Sequence, residues 1–296
     1  MADFASLHQE PRTREEESLF SAGLSSLDLW YSAQFTTTFL LTSMPDGHAH
    51  LPSYHQRGWP SFELSVSSFV KDYTYLIDLG RLEEGADLSY TAILERCTGS
   101  RVPPQLPDSF ARGLQSKRFS NQAADLPLVS QLQAAAFARC FSVAPRLVFS
   151  RLGWGDEEVA QLAEVGLAAA MPKCTRLELA DSRMGDAGLA ALATAVGRGA
   201  WPHLRNFLLT GNRAVGDAGL QALCDVAAGG ALAELAVLRI SGSSVGDEGL
   251  RALAAVLANG ALPALTYLSL GDNKASDAAR QDLRDACRDR PFTPNV

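Results

Sequence analysis

Along the second half of the chain, apolar and polar positions recur on a beat of about 30 residues. Gly-Asp pairs stand at Gly155-Asp156, Gly185-Asp186, Gly216-Asp217 and Gly246-Asp247, and the variant Ser276-Asp277 follows. Their spacings are 30, 31, 30 and 30 residues. The extra residue falls just after Asn212, in a predicted loop where an insertion costs little. Upstream of each pair lies a short alternating stretch: Leu147 and Phe149, Leu177 and Leu179, Phe207 and Leu209, Leu238 and Ile240, Leu268 and Leu270. Such alternation predicts a strand with one buried face. Cys174, Leu204, Leu235 and Leu265 add an apolar position before the strand. A polar column after it reads Ser182, Asn212, Ser243 and Asn273. Asn there can hydrogen-bond neighbouring backbone groups as the chain leaves the strand, and Ser can do so less fully.

After each pair the period becomes helical. Leu189, Leu192 and Val196 stand at i, i+3 and i+7, as do Leu220, Leu223 and Ala227, and Leu250, Leu253 and Leu257. The Asp of each pair is placed to act as N-cap of its own helix, with the Gly before it supplying a tight turn. Pro172, Pro202 and Pro263 stop the helix before the next strand. Each unit reads strand, turn, helix, return. One unit cannot bury its own apolar face, but a stack makes a continuous core. The expected fold is therefore α/β, with a solenoid of about five repeats over residues 145–296, parallel strands inside and helices outside.

The pattern L-x-x-L-x-L-x-x-N/S-x-x-G-D-x-G-L resembles the ribonuclease-inhibitor type of leucine-rich repeat over about half the chain. Leu152 in the Asn/Ser column of the first unit, and Ala279-Arg280 for Gly-Leu in the last, fit end repeats that cap a stack. The resemblance implies a non-enzymatic scaffold or adaptor that binds a protein on its concave strand face. Two columns would line that face: Arg176, Asn206, Val237 and Tyr267, then Glu178, Leu208, Arg239 and Ser269. Arg and Tyr are enriched at interface hot spots, which makes Arg176, Arg239 and Tyr267 the expected anchors; ordinary solvated strand residues are the alternative. One class of small-GTPase regulators uses similar repeats, but fold alone does not transfer that function.

Residues 1–141 lack the period. They predict a helix near residues 15–33, a strand near 36–42, a loop with Pro45, Gly47 and Pro52, a helix running to about Val70 and a strand over 73–79. Pro103, Pro104 and Pro107 mark a loop, and residues 119–144 read as a connector and a helix capping the first repeat, after a smaller α/β region over 1–118. The segment Y-x-x-R-G-W-P-x-F-E, from Tyr54 through Arg57, Gly58, Trp59 and Pro60 to Glu63, resembles the middle of TIR-type and heterokaryon-incompatibility-type domains, with the match spanning Thr36 to Gly80. In TIR enzymes the Glu of this motif cleaves NAD, and that role would fall on Glu63. Only about 35 residues precede the first predicted strand, too few for the segment that completes such a nucleotide pocket. A lone carboxylate also lacks a partner for acid–base work, so Glu63 is expected to pack or cap beside Trp59, with no catalytic residue.

Composition narrows the choices further. The 296 residues carry a net charge of −7, which argues against a nucleic-acid partner. The five cysteines are widely and irregularly spaced, with no C-x-x-C pair, which argues against a disulfide framework or zinc site and suits a reducing compartment. No signal-like or membrane-length apolar segment is evident, so a soluble cytoplasmic protein without cofactor or metal is expected. Gly242-Ser243-Ser244-Val245-Gly246 matches G-x-S-x-G, but its phase places Ser243 in the polar column. His48, His50 and His55 could hold a metal, yet surface histidines are the simpler expectation. The Gly-Asp pairs recur too slowly for calcium-binding β-rolls. Cys174 and Cys224 fall on apolar positions and are expected to be inert core thiols. Arg57 is expected to pair with an acid of its own domain, or with a ligand phosphate.

Overall fold

The structure, a computed structural model, describes residue 8, residues 11–44, 47 and 51–296. His48, His50 and Pro45 lie outside the described residues. The N-terminal region contains α1 (Arg14–Ser25), α2 (Leu27–Ser32), β1 (Thr38–Leu40), α3 (Gly58–Ser67), β2 (Leu76–Asp78), α4 (Tyr90–Cys97), α5 (Pro107–Leu114) and α6 (Gln122–Val143). The repeats follow as β3 (Arg146–Val148), α7 (Asp156–Ala169), β4 (Arg176–Glu178), α8 (Asp186–Gly197), β5 (Asn206–Leu208), α9 (Asp217–Ala228), β6 (Val237–Arg239), α10 (Asp247–Ala258), β7 (Tyr267–Ser269) and α11 (Asp277–Ala286).

Strands β3 to β7 form one parallel sheet in chain order, and equivalent residues pair: Leu147 with Leu177, Phe207, Leu238 and Leu268 in turn. All five are buried, as are the helix residues Leu189, Leu192, Leu220, Leu223, Leu250, Leu253 and Leu257. Alternate strand residues thus face the helices, and the residues between them form the other strand face.

The Gly-Asp pair works differently from the expectation. Gly185, Gly216 and Gly246 are the N-caps, and each Asp is the first helical residue. Its carboxylate caps the next helix along. Asp156 Oδ1 accepts from the N–H groups of Gly185 and Gly188 at 2.7 and 2.9 Å, and Asp217 Oδ1 does the same for Gly246 and Gly249 at 2.6 and 3.0 Å. A Cβ on Gly188 or Gly249 would stand 2.7 or 2.6 Å from that oxygen, so the second glycine of G-D-x-G makes room for the neighbour's carboxylate. The ends of the series differ accordingly. Glu158 Oε2 accepts from Gly155 N–H in the first unit. In the last, Asp247 still accepts from Ser276 N–H and from Ser276 Oγ, but Ser276 Oγ and not the foreign carboxylate accepts from Ala279 N–H, where Ala replaces Gly.

The polar column bonds as expected. Asn212 Nδ2 donates to Leu179 O and Leu209 O, both at 2.8 Å, and Asn273 Nδ2 to Ile240 O and Leu270 O. Ser243 Oγ is buried and reaches no hydrogen-bond partner among the described residues.

In the N-terminal region, the predicted helix over 15–33 is two helices broken at Ser26. The predicted strands shrink to three residues each, β1 and β2, paired in parallel. Asp72 and Asp78 accept from Tyr73 N–H and Gly80 N–H, turning the chain on either side of β2. Helix α3 starts at Gly58, so Glu63 lies inside it rather than opening it; Pro60 is tolerated because first-turn N–H groups have no helical partner. Helices α4 and α5 were not expected.

One apolar core runs from Phe62, Phe69, Phe137 and Phe141 into Leu147, Phe149 and the repeats. Arg101, 3% exposed, crosses this junction. Its guanidinium donates to Ser68 O, Phe69 O and Val148 O and lies 4.2 Å over the Phe149 ring, while its carbonyl accepts from Trp154 Nε1. Burial pushes its pKa down to about 9, which leaves the cation charged at neutral pH.

Candidate protein-binding face

The register aligns Arg146, Arg176, Asn206, Val237 and Tyr267 in one column, and Val148, Glu178, Leu208, Arg239 and Ser269 in the second. The columns are those read from the sequence, each extended by one residue of β3. Their members differ in how free they are. Arg176 Nη2 lies 2.5 Å from Glu178 Oε2, and Ser150 Oγ donates to Glu178 Oε1 at 3.0 Å, so this pair is satisfied internally. Asn206, Leu208 and Val237 are half-buried. Arg239 and Tyr267 are exposed, with the guanidinium carbon 4.8 Å from the ring centroid, a cation–π contact that holds both outward.

Ser269 does not belong to an open face. It is 5% exposed and covered by the chain around Asn295. Asn295 N–H donates to Leu268 O at 3.0 Å and its carbonyl accepts from Leu270 N–H at 2.7 Å, adding a parallel bridge outside β7. Ser269 Oγ bonds Asn295 Nδ2 and Ser241 Oγ. Pro291 and Pro294 mark an extended segment, but nothing local to it shows where it docks.

The chemical candidates stand apart from this face. Glu63 is half-buried in α3, near Tyr54. Burial pushes the Tyr54 phenol well above its usual range, with the charges of Glu63 and Asp78 adding to the effect. The Tyr54 hydroxyl and Arg57 Nε are buried without a hydrogen-bond partner among the described residues. Arg57 makes no ion pair there, contrary to the expected pairing with an acid. Asp78 is occupied: it accepts from Thr42 Oγ1, Gly80 N–H and Ser100 Oγ. Trp59 packs edge-on to Phe62 at 6.0 Å. Cys174 and Cys224 are buried, and burial pushes their thiols up to about 11 and about 12. Among the described residues, no cluster of three or more His, Cys, Asp or Glu is arranged to hold a metal, and no helix is long and apolar enough to cross a membrane.

A family model matches the repeats. The family model described as "Leucine Rich repeat" matches residues 175–193, 202–224 and 235–254. Among solved structures, an internalin of Listeria monocytogenes is similar at 14% identity with a TM-score of 0.31; the match covers 79% of this chain and spans 56% of that one. No curated protein matches. The three matched segments fall on β4 to α8, β5 to α9 and β6 to α10, and the chain carries a leucine-rich-repeat domain.

Proposed function

We propose that this chain is a non-enzymatic scaffold or adaptor that binds a protein partner on the strand face of its repeats, in the cytoplasm. The observation that carries this reading is the Arg239–Tyr267 pair, exposed on adjacent strands of an otherwise partly covered sheet face. Stacked repeats hold such side chains on a rigid frame, which lowers the ordering cost of binding. Arg176, paired with Glu178, contributes less than its type suggests. Replacing Tyr267 with a photo-crosslinking phenylalanine analogue in living cells should trap the partner. Arg239→Ala with Tyr267→Ala should then weaken that partner's binding at least tenfold in the folded protein; unchanged affinity sinks the reading.

A second reading, nucleotide cleavage at Glu63, has one observation in its favour: the buried Tyr54 hydroxyl, without a hydrogen-bond partner among the described residues, is held protonated by burial first and by the Glu63 charge second. NAD turnover lost in Glu63→Gln would support it, and absence of turnover in the unaltered chain would dismiss it.

A further inference from the structure

We propose that two copies of this chain pair edge to edge through β1, joining their two-stranded sheets into one sheet of four strands in the order β2-β1-β1-β2. β1 and β2 pair in parallel over three residues each, and among the described residues no backbone group bonds the other edge of β1. β2 is buried along its whole length, so β1 is the accessible edge. A two-stranded unit is marginal in water, and a row of unpaired N–H and C=O groups is a template for another strand.

The side chains of β1 divide by alternation. Leu40 packs with Tyr54, Leu64 and Leu76, and Thr38 Oγ1 hydrogen-bonds Ser67 Oγ. Thr37, Phe39 and Leu41 turn the other way and are exposed. Phe39 and Leu41 are 58% and 57% exposed, and just upstream Trp30 and Phe35 are 69% and 72% exposed. This run is fixed in place: the Lys71 ammonium bonds the carbonyls of Ala33 and Thr36, Thr36 Oγ1 lies 3.1 Å from Trp30 O, and the Phe35 ring packs edge-on to Tyr75.

Area, charge and symmetry select a second copy as the occupant. With aromatic side chains burying about 150–250 Å² each, Trp30, Phe35, Phe39 and Leu41 together offer roughly 500 Å². That is well over half of the about 800 Å² that each partner contributes to a stable complex, and the strand backbone and its flanks add to it. From Leu29 to Pro45 there is no charged residue, in a chain where 20% of residues are charged. Sheets commonly blunt a free edge with Lys, Pro or other charged residues, and β1 carries none of these. Such an edge meets its own image without like-charge repulsion and has no charge with which to select a foreign strand. A two-fold axis at Phe39 makes the two β1 strands antiparallel. It sets Phe39 against its counterpart and Thr37 against Leu41, pairings that stabilise neighbouring strands. The arrangement also closes, because both β1 edges are then used and both β2 strands are buried.

Sedimentation equilibrium of the full chain across the micromolar range tests this. The mass should rise from 31.6 kDa toward twice that value. Phe39→Lys and Phe39→Glu chains should each stay monomeric over the same range, with the far-ultraviolet circular dichroism of the unaltered chain. An equimolar mixture of the two should dimerise again, since the two-fold sets position 39 against itself; a purely structural role for Phe39 gives no such rescue. Should Phe39→Lys lose its fold, Thr37→Lys, at an exposed threonine on the same face, should likewise be monomeric. Arg239→Ala with Tyr267→Ala should dimerise like the unaltered chain, which separates this edge from the repeat face. A chain that stays at 31.6 kDa throughout, a dimer that survives Phe39→Lys, a mixture that stays monomeric, or a dimer lost with Arg239→Ala and Tyr267→Ala would overturn the proposal. So would a monomeric chain whose position 39, carrying a photo-crosslinker, captures a strand of another protein.

Discussion

The Asp186 carboxylate caps a helix that Gly216 begins one full repeat further along the chain. Oδ1 accepts from Gly216 N–H at 2.7 Å and from Gly219 N–H at 2.9 Å. A Cβ on Gly219 would stand 2.7 Å from that oxygen. Asp186→Ala should therefore cost about 2 kcal/mol, the sum of a lost cap and of two charge-assisted bonds weighed against water. Gly219→Ala should cost a similar amount by displacing the carboxylate, and the double variant should cost less than the two together. Urea unfolding measures all three; fully additive losses would mean the two residues do not act through one contact.

The polar column offers a gain instead of a loss. Ser243 Oγ is buried without a hydrogen-bond partner among the described residues, where Asn212 and Asn273 bridge two carbonyls each. Ser243→Asn should stabilise the chain by about 1 kcal/mol, read from the urea midpoint. A destabilised variant would show that the column has no room for a larger side chain there.

Arg101 joins the N-terminal region to the first repeat through three carbonyls and the Phe149 ring. Arg101→Met would orphan those carbonyls and should cost about 3 kcal/mol or more. Loss of coupling should also be visible as two separate thermal transitions in place of one. A single, unshifted transition would show that the aromatic core alone holds the junction.

Lys71 is fully buried, and its ammonium donates to Ala33 O, Thr36 O and Thr36 Oγ1 at 2.5 to 2.7 Å. Burial pushes its pKa down to about 8, with Cys140 and Arg101 as its charged or ionisable neighbours. Between about pH 8 and the free-lysine value near 10.4, the unfolded chain holds a proton that the folded chain has released. Stability from this group must then rise with pH across that window. The buried thiols act oppositely, since burial raises their pKa values. Lys71 must therefore be isolated by comparison with Lys71→Met. The unaltered chain should gain on the order of 3 kcal/mol relative to the variant from pH 8 to 10.4; parallel pH profiles would refute the assignment.

What the sequence made legible was whatever repeats. Leu177, Phe207, Leu238 and Leu268 stand in one register because the same local period builds each unit. The capping aspartates were visible as residues but assigned to the wrong helix, since Asp186 is adjacent in sequence to one helix and adjacent in space to the next. Ser269 was misread for the same kind of reason: the segment that covers it lies 26 residues away and has no repeat partner. The N-terminal region gave less. Helix α4 buries only Cys97, too weak a stripe to read, and Pro107 sits at the first turn of α5, where a proline cluster suggested only a loop.

The capping series also gives the solenoid a direction. Each helix from α8 to α11 starts on a carboxylate supplied by the unit before it, and none depends in this way on the unit after it. Peeling away the last unit leaves every remaining helix start intact, whereas disrupting an early unit strips the start of its successor. Unravelling should therefore proceed from one end. A chain emerging from the ribosome would meet the opposite situation at every step, since the group that begins each helix is already in place when that helix is made.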